Sequence, residues 1–501
     1  MKKSLKSRLP GILITVLLTI ALTLFMAILV KTKMLPTKLL LLAGGVFLLF
    51  TLSVCLLTRN TRRPAGMIIG SLMTMVLLIV LMIGTPYLTK AVNTLSSMTG
   101  VSVELADMGV YVKADSAVQD LDGLVGKNIG ILEVLDRENT DKSLDEIRAQ
   151  IGTLNVVTYA GLSELVDGLM GDGADAIVLN KAYLTLLKEM EGYEDAESKM
   201  REVHSHQTET VLQVQDTPKK NNGWGIKNLF GLGDEEAEAE QNDRVFSIYI
   251  SGIDTYGSVS AKSRSDVNII ATVNLDTRQV LLTSTPRDYF VPLTISNGNP
   301  DKLTHAGIYG VEVSMGTLEM LYKTEIDYYF RVNFSGFEKI IDALGGVTVY
   351  SENAFTTYDG QFYFSKGENK VSGAEALGFA RERKAFKDGD NQRGKNQMAV
   401  IKAVIEKAMS PAILTGYADL MESVAGNFET SMPYDLIAEI VRDQLNNGGS
   451  WNIVSNSVSG YGDTRMPYSL STYAYVMIPD QDSVDAAVAK IYQVKSGENL
   501  G

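Results

Sequence analysis

Three long apolar blocks crowd the first ninety residues of the chain and limit what this part can fold into. They run over residues 11–30, 39–57 and 65–88, and none of them contains a charged residue. A helix of this length, at about 1.5 Å per residue, crosses a hydrocarbon core of roughly 30 Å. A cleaved signal peptide would explain the first block alone. Two further blocks directly behind it favour three transmembrane helices within residues 1–90.

Basic residues beside the apolar blocks predict how the chain is oriented, because they favour the cytoplasmic side. They lie at the N-terminus (Lys2, Lys3, Lys6, Arg8) and in the second connection (Arg59, Arg62, Arg63), with three more in the first connection (Lys31, Lys33, Lys38). The basic residues of the first connection partly offset the orientation signal from the other two groups. We expect the N-terminus inside, three crossings of the cell membrane, and everything after Lys90 outside.

Charge and cysteine content narrow the class of protein further. The formal net charge of −13 argues against nucleic acid as a partner, since a duplex binder needs a basic face. The one cysteine, Cys55, lies inside the second apolar block. The outer part therefore has no disulfides, which fits the envelope of many single-membrane bacteria.

The rest of the chain separates into three zones by composition. Residues 100–210 alternate strand-like and helix-like runs, which predicts a small α/β accessory domain for a glycan, a partner or the membrane, or a spacer. Within it, His204 and His206 match no zinc spacing and are expected in an exposed loop. Residues 212–243 contain an acidic run and are expected to be a linker. Residues 244–495 form the largest unit.

Arginines and aspartates in this largest unit fall at the ends of predicted strands and helices. They are Asp254, Arg264 with Asp266, Arg287 with Asp288, Arg381 with Arg383, and Arg393 with Gln397. A two-residue turn at Asp276–Thr277 would place Asp266 opposite Arg287. Arginine forks match phosphate oxygens, and Mg²⁺ takes one or two carboxylates together with substrate phosphate. The pattern predicts a pyrophosphate site with a divalent cation; ordinary ion pairs with Asp266, Asp288 and Glu382 are the alternative.

Two helices are expected to complete this site. Ser372 and Glu375 form a capping box that opens one helix, and Arg381 and Arg383 would share a face of an extended segment after it. Arg393 and Gln397, four residues apart, would share a face of the next helix. Apolar residues at helical spacing could line a slot for a lipid tail, although core packing explains each of them too. They are Ile340, Ile341, Leu344, Val400, Val404 and Ile405.

Several of these motifs together resemble the extracytoplasmic LytR-CpsA-Psr family. The matching runs include Gly252-Ile253-Asp254, Arg264-Ser265-Asp266, Pro286-Arg287-Asp288, Asp342-Ala343-Leu344-Gly345-Gly346 and Ala380-Arg381-Glu382-Arg383. The resemblance is strong over residues 244–408 and looser to about 494, and three membrane spans resemble the CpsA branch. It implies an α/β (α+β) domain with a central mixed sheet flanked by helices, beside the small α/β accessory domain and the three N-terminal helices.

The resemblance also implies an activity. Members of the family transfer a glycopolymer with its phosphate from an undecaprenyl-pyrophosphate carrier to a peptidoglycan hydroxyl. Carried over by position, Asp254 and Asp266 would hold Mg²⁺, and the catalytic residues would be Asp266, Arg287 and Asp288, with either aspartate as general base. The residues expected to bind the pyrophosphate are Arg264, Arg287, Arg381, Arg383, Arg393 and Gln397. Two positions depart from the pattern: Ile253 replaces a small polar residue, and Asn396 stands where many members have arginine.

Two other functions fit the same residues. The chain could be a non-enzymatic membrane regulator or scaffold of polysaccharide assembly, with assembly proteins as partners and a phosphate pocket used only for binding. It could also be a lipid-pyrophosphate hydrolase that uses no acceptor sugar. The sequence specifies neither the polymer, whether capsule or teichoic-acid-like, nor the acceptor sugar.

Overall fold

A computed structural model describes most of the chain. The described residues are 2–59, 64–97, 102–212, 244–253, 259, 261–387, 389–410, 424, 426–470 and 472–500. The expected linker lies outside them from residue 213 onward, and so does Asp254, one of the two expected magnesium ligands.

The three apolar blocks form three long helices, as predicted: α1 (Lys2–Lys31), α2 (Thr37–Arg59) and α3 (Pro64–Ser97). The segments long and apolar enough to cross a membrane are Leu9–Lys31, Thr37–Thr58 and Ala65–Lys90. The helices pack on one another through Leu18, Leu22, Val54 and Leu81.

The accessory domain is a mixed five-stranded sheet with helices beside it. Its elements are β1 (Ser102–Lys113), β2 (Asn128–Leu132), α4 (Arg137–Ile151), β3 (Asn155–Tyr159), α5 (Leu162–Met170), β4 (Ala176–Asn180), α6 (Leu184–Leu187) and β5 (Met200–Leu212). The strand order is β3-β2-β4-β1-β5, with β2 parallel to β3 and β4, and β1 antiparallel to β4 and β5. The α/β character of this domain was expected. His204 and His206 lie in β5, so the expectation of an exposed loop was wrong.

The large unit is built on a six-stranded mixed sheet in the order β16-β11-β6-β7-β8-β17, which agrees with the expected fold. Its strands are β6 (Val245–Ile253), β7 (Ser265–Asn274), β8 (Gln279–Thr285), β9 (Phe290–Pro292), β10 (Pro300–Lys302), β11 (Tyr328–Asn333), β12 (Val347–Ser351), β13 (Phe355–Thr356), β14 (Tyr363–Phe364), β15 (Gly367–Val371), β16 (Phe428–Thr430), β17 (Asn452–Ser457), β18 (Gly460–Arg465) and β19 (Ala474–Pro479). The strands outside the central sheet form four short two-stranded ribbons in the described part of the chain.

Seven helices of the large unit are described. They are α7 (Leu303–Tyr309), α8 (Val311–Tyr322), α9 (Phe334–Ala343), α10 (Gly373–Arg381), α11 (Gly389–Ala408), α12 (Tyr434–Asn447) and α13 (Gln481–Ser496). The backbone N–H of Ser372 donates to Glu375 Oε2 at 2.8 Å, which confirms the capping box before α10. Gly345 and Gly346, both with positive φ, end α9, as predicted.

Side chains of the β7–β8 hairpin alternate between the two faces of the sheet. Ile270 and Leu281 pack in the core that also contains Leu318 of α8 and Val484 of α13. Their neighbours Ile269 and Leu282 pack on the other face, in the core that contains Met398 of α11. Two layers of helices thus sandwich the sheet, and the second face also borders the site described below.

Contacts with the first connection and with the accessory domain tie the large unit to the rest of the chain. The connection between α1 and α2 rests on α12: Tyr434 Oη donates to Thr32 O at 2.8 Å, and Lys33 Nζ lies 2.6 Å from Asp435 Oδ2. The accessory domain inserts Glu104 of β1 beside Arg331, with Glu104 Oε1 3.0 Å from Arg331 Nη1. The first connection and the large unit therefore lie on the same side of the three-helix bundle.

Candidate functional site

A cavity of about 660 Å³ opens beside the second face of the six-stranded sheet, among α9, α10, α11 and α12. Its polar lining consists of Arg264, Asp266, Arg287, Asn333, Arg381, Arg383, Arg393 and Gln397. All six residues expected to bind pyrophosphate therefore meet in one cavity together with Asp266. Sequence segments more than a hundred residues apart supply them.

Asp266 and Arg287 meet because of the hairpin register. Asn274 pairs with Gln279 and Asn268 with Thr285, so the same register places Asp266 opposite Arg287, as the sequence predicted. Arg287 Nη1 lies 2.9 Å from both carboxylate oxygens of Asp266. Thr304 Oγ1 donates to Asp266 Oδ1 at 3.3 Å. The ion pair expected under the alternative interpretation is thus present, but it borders an open cavity.

The two other aspartates of the expected set differ from Asp266. Asp288 is 8 % exposed, and its Oδ2 lies 3.6 Å from Arg287 Nε, yet it is not part of the cavity lining. Asp254 lies outside the described residues. The residue before it, Ile253, lines the cavity and pairs with Ser265, the neighbour of Asp266. Of the two candidate general bases, Asp266 is therefore the one that faces the cavity.

The accessory domain contributes a carboxylate beside this cavity that sequence reasoning missed. Glu189 pairs with Arg264 Nη1 and accepts from Lys302 Nζ at 2.7 Å, and its Oε2 lies 3.7 Å from His305 Nε2. Burial alone would raise the pKa of Glu189, but His305 and Lys302 outweigh it and hold that pKa far below its usual range. Glu189 stands in a short turn after α6 with no motif around it, so only the fold reveals its role.

His305 is fully buried behind this contact. Its Nδ1 lies 2.7 Å from Asp301 Oδ1 and 2.8 Å from Ser469 Oγ. Burial lowers the pKa of His305, but the neighbouring Asp301 and Glu189 carboxylates outweigh burial and raise it. A charged His305 therefore supports the negative charge of Glu189.

Arg381 and Arg383 reach the cavity from the end of α10. Arg381 is the last residue of that helix, so the expected extended segment shared by both arginines was wrong. The Arg381 guanidinium lies 4.2 Å above the ring of Phe334, a cation–π contact that orients it. Glu382 between them is 7 % exposed and accepts from the backbone N–H groups of Tyr358 at 2.6 Å and Ala385 at 2.9 Å. Those bonds anchor the turn that carries both arginines.

Helix α11 supplies Arg393 and Gln397 from one face, as their spacing predicted. Asn396, on a neighbouring face of the helix, is 3 % exposed, and its Nδ2 donates to Phe379 O at 3.1 Å. At the position where many relatives were expected to have arginine, this chain therefore has a residue that joins α11 to α10.

The interior of the cavity is apolar and runs along the sheet. Its lining includes Phe246, Ile248, Ile250, Val273, Val280, Phe337, Ile340, Ile341, Ile401, Val404, Ile405, Met432, Ile440 and Trp451. Four of the six residues suggested for a lipid slot are among them. Leu344 and Val400 are not; both pack in the neighbouring core with Val349 and Phe379. Helix α12 contributes Ile440 here, and its residue Ala438 packs on Met34 of the first connection.

Curated proteins with related sequences point to one family. The chain is 32 % identical over 242 residues, 48 % of its own length and 75 % of the relative, to the polyisoprenyl-teichoic acid–peptidoglycan teichoic acid transferase TagU of Bacillus anthracis strain CDC 684 / NRRL 3495. It is 33 % identical over 230 residues, covering 46 % and 72 %, to TagU of Bacillus subtilis strain 168. The crystal structure of B. subtilis TagV superposes with a TM-score of 0.44 at 27 % identity, covering 52 % of this chain and 99 % of that one.

Two family models match parts of the chain. One, described as DNA polymerase processivity factor, matches residues 68–179, less than a quarter of the chain, and begins inside apolar helix α3, so it supports no assignment. The other, described as the LytR_cpsA_psr family, matches residues 190–490, about three-fifths of the chain. That span contains every described residue of the polar cavity lining, and the chain belongs to the LytR_cpsA_psr family.

Proposed function

We propose that this protein transfers a glycopolymer, together with the phosphate next to it, from an undecaprenyl-pyrophosphate carrier to a hydroxyl group of peptidoglycan. The observation that carries this proposal is one cavity whose lining has a cationic part, formed by five arginines, and a long apolar part. A donor with a diphosphate between a sugar chain and a lipid tail matches both parts. The curated TagU relatives carry a transferase name of this kind.

The charge of the cavity favours a diphosphate. Five arginines and one carboxylate line its described part, which gives a formal charge of +4. Guanidinium groups bind phosphate oxygens in pairs and stay charged at any physiological pH. Phosphoryl transfer depends chiefly on positioning and on neutralising charge, so the cationic part of the cavity suits the reaction.

Magnesium is the second part of the proposal. Asp266 offers hard oxygen atoms in the cationic part of the cavity, and Asp254 directly follows Ile253, which lines the same cavity. Two carboxylates from neighbouring strand ends fit Mg²⁺, which keeps the rest of its shell for water and phosphate. Bound there, the ion would neutralise charge on the phosphate oxygens.

The reaction follows from these positions. The acceptor hydroxyl oxygen forms a bond to the phosphorus next to the glycan, and the anhydride bond to the second phosphorus breaks. Undecaprenyl phosphate leaves, and the glycan phosphate becomes a phosphodiester. The arginines stabilise the charge on the transferred and leaving oxygens. Asp266, the candidate base that faces the cavity, would take the proton of the hydroxyl.

The apolar interior supports a membrane lipid as donor. Helix α12 borders the cavity through Ile440 and contacts the first membrane connection through Ala438 and Tyr434. One helix thus links the slot to the membrane-facing end of the domain. We infer that the domain faces outward, since the N-terminal basic residues favour the cytoplasmic side.

The test uses the full-length protein in lipid nanodiscs with a lipid-pyrophosphate glycan and peptidoglycan oligosaccharides. Arg287→Ala and Asp266→Ala should lower transfer roughly 10³- to 10⁵-fold, measured as linked product by mass spectrometry. Arg278→Gln, at the turn end of the same hairpin, is the matched control and should transfer normally. Chelation should stop the reaction, and added Mg²⁺ should restore it.

Three results would contradict the proposal. Normal transfer by both variants would refute the site. No transfer by the wild-type protein, with normal polysaccharide attachment in cells that carry both variants, would favour a regulator or scaffold. Release of monophosphate without any acceptor would favour a lipid-pyrophosphate hydrolase.

A further inference from the structure

A second cluster of chemically active side chains lies in the accessory domain, away from the cavity. Glu146 of α4 and His204 and His206 of β5 place one ligand atom each within 4.8 Å of one another. Residues two apart on a strand point to the same face. His204 stands opposite Val110 and His206 opposite Met108 on β1, so both rings face the side of the sheet on which α4 packs.

Three ring nitrogens of this cluster are buried without a hydrogen-bond partner among the described residues. His204 Nε2 and both nitrogens of His206 are shielded from solvent without a hydrogen bond, and the His206 side chain is only 8 % exposed. A buried polar atom without a partner costs on the order of 1–3 kcal/mol, so native structures rarely leave three together.

The distances fit an ion placed between the three side chains. His204 Nε2 lies 3.5 Å from Glu146 Oε1, and His206 Nε2 lies 3.5 Å from Glu146 Oε2. Both separations are too long for a good hydrogen bond. Ligand bonds of about 2.0–2.2 Å in a tetrahedron set neighbouring ligand atoms roughly 3.3–3.6 Å apart. Both histidine–carboxylate separations fall in that range, and one ligand atom from each of the three residues lies within 4.8 Å of the others.

Neighbouring contacts hold the cluster in place. Thr208 Oγ1 donates to Asn139 Oδ1 at 2.8 Å, and Lys142 Nζ donates to Glu209 O at 2.8 Å. Asn139, Lys142 and Glu146 lie on one face of α4, so the helix is fixed along β5 over about two turns. The three ligands are thus preorganised by bonds that involve none of them.

We propose that Glu146, His204 and His206 bind one Zn²⁺ ion, with the fourth coordination position open to water or to a ligand from solvent. Two histidines and one carboxylate are a known zinc donor set, and imidazole favours zinc over Mg²⁺. The Glu146 side chain is 39 % exposed, which leaves a path for the ion. The site is independent of the proposed transferase chemistry and ties α4 to the edge strand β5.

The test measures zinc binding by isothermal titration calorimetry of the full-length chain in detergent, stripped with a chelator and purified with a tag that contains no histidine. Millimolar Mg²⁺ in the buffer competes with Zn²⁺ for the proposed carboxylate site of the cavity. The wild-type chain should bind one Zn²⁺. His206→Ala and Glu146→Gln should each weaken that binding at least about a hundredfold, since even outer-shell changes weaken metal sites about 10- to 100-fold. Glu138→Gln, an exposed glutamate on the same helix, is the matched control and should bind normally.

Thermal unfolding of each variant without metal separates loss of the site from loss of the fold. Zinc should raise the unfolding temperature of the wild-type chain and of Glu138→Gln, and leave that of the two ligand variants unchanged. A wild-type chain that binds no zinc would overturn the proposal. Ligand variants that bind zinc as tightly as the wild type would overturn it too. If His206→Ala fails to fold, Glu146→Gln at the more exposed position decides.

Discussion

Two carboxylates of the accessory domain each hold an arginine of the large unit, but in opposite surroundings. Glu104 and Arg331 have side chains 3 % and 2 % exposed, and Arg331 Nη2 also lies 2.9 Å from Glu429 Oε2. Glu189 and Arg264 have side chains 23 % and 18 % exposed, and Arg264 lines the cavity. One arginine is enclosed by protein, and the other borders the space where a substrate would enter.

The difference separates a structural ion pair from a functional one. A buried charge cannot exchange its partner, because leaving either group alone in the interior is very costly. A charge at the wall of an open cavity can share its partner with an incoming anion at a smaller cost. Residue type alone does not separate Arg331 from Arg264, and the difference in burial distinguishes their roles.

The largest effect is expected at the enclosed pair. Arg331→Met removes the cation that contacts both Glu104 and Glu429 in the interior, so the free energy of unfolding should fall by about 3–5 kcal/mol. Denaturant unfolding of the full chain measures it. Replacing Glu104 and Glu429 by leucine as well should recover much of the loss. A change below about 1 kcal/mol in the single variant would show that this arginine is not structural.

Arg264, which lines the cavity, should affect the rate of transfer more than the free energy of unfolding. Arg264→Gln should slow transfer about 10²- to 10³-fold, or roughly 3–4 kcal/mol, because one group that stabilises transition-state charge is lost. The free energy of unfolding should change far less than in Arg331→Met. Transfer kinetics and denaturant unfolding of both variants, side by side, measure the contrast. Equal loss of stability in the two would erase the distinction.

The free energy of unfolding should depend on pH through the buried His305, which lies behind the contact between Glu189 and Arg264. The raised pKa of His305 means that its contribution is complete below its unfolded pKa of about 6.5 and is lost as pH rises through the folded pKa. The free energy of unfolding should therefore fall above neutral pH, by at most about 1.4 kcal/mol per pH unit for this one proton. Urea titrations between pH 6 and 9 test it. In His305→Gln this part of the slope should disappear, and an unchanged slope would assign it to other groups.

The smallest effect is expected for the carboxylate that shares Arg264. Glu189→Gln removes a negative charge beside Arg264 at the cavity. An anionic donor should therefore bind more tightly by about 1 kcal/mol, which lowers KM about fivefold. Glu104→Gln is the same change at the enclosed pair and should leave KM unaltered. Steady-state kinetics with varied donor measure both. A higher KM in Glu189→Gln would mean that Glu189 positions Arg264 rather than competing for it.

Local chemistry made much of this architecture predictable. Uncharged blocks of membrane length predicted α1, α2 and α3, and the Asp276–Thr277 turn fixed the register that brings Asp266 to Arg287. The capping box at Ser372 and the glycines after α9 located helix ends from a few neighbouring residues. Each of these signals lies within one turn, hairpin or helix, so the sequence alone contains it.

What escaped prediction depends on contacts between distant segments. Strands β1 and β5 pair across about a hundred residues, and without that pairing His204 and His206 look like a loop. Glu189 acts on Arg264 only because two domains meet. Val400 and Val404, one helical turn apart, look alike in sequence, yet Val400 is fully buried in the core, whereas Val404 packs at the edge of that core and lines the cavity.

The short connection between α1 and α2 has a consequence for which acceptors can be reached. It has only five residues, 32–36, and it is bonded to α12. These contacts hold the large unit close to the lipid surface. In the proposed orientation, we expect the enzyme to work at a fixed height. Glycan strands that pass close to the bilayer would receive polymer, and outer layers of the wall would acquire it only as older strands move outward.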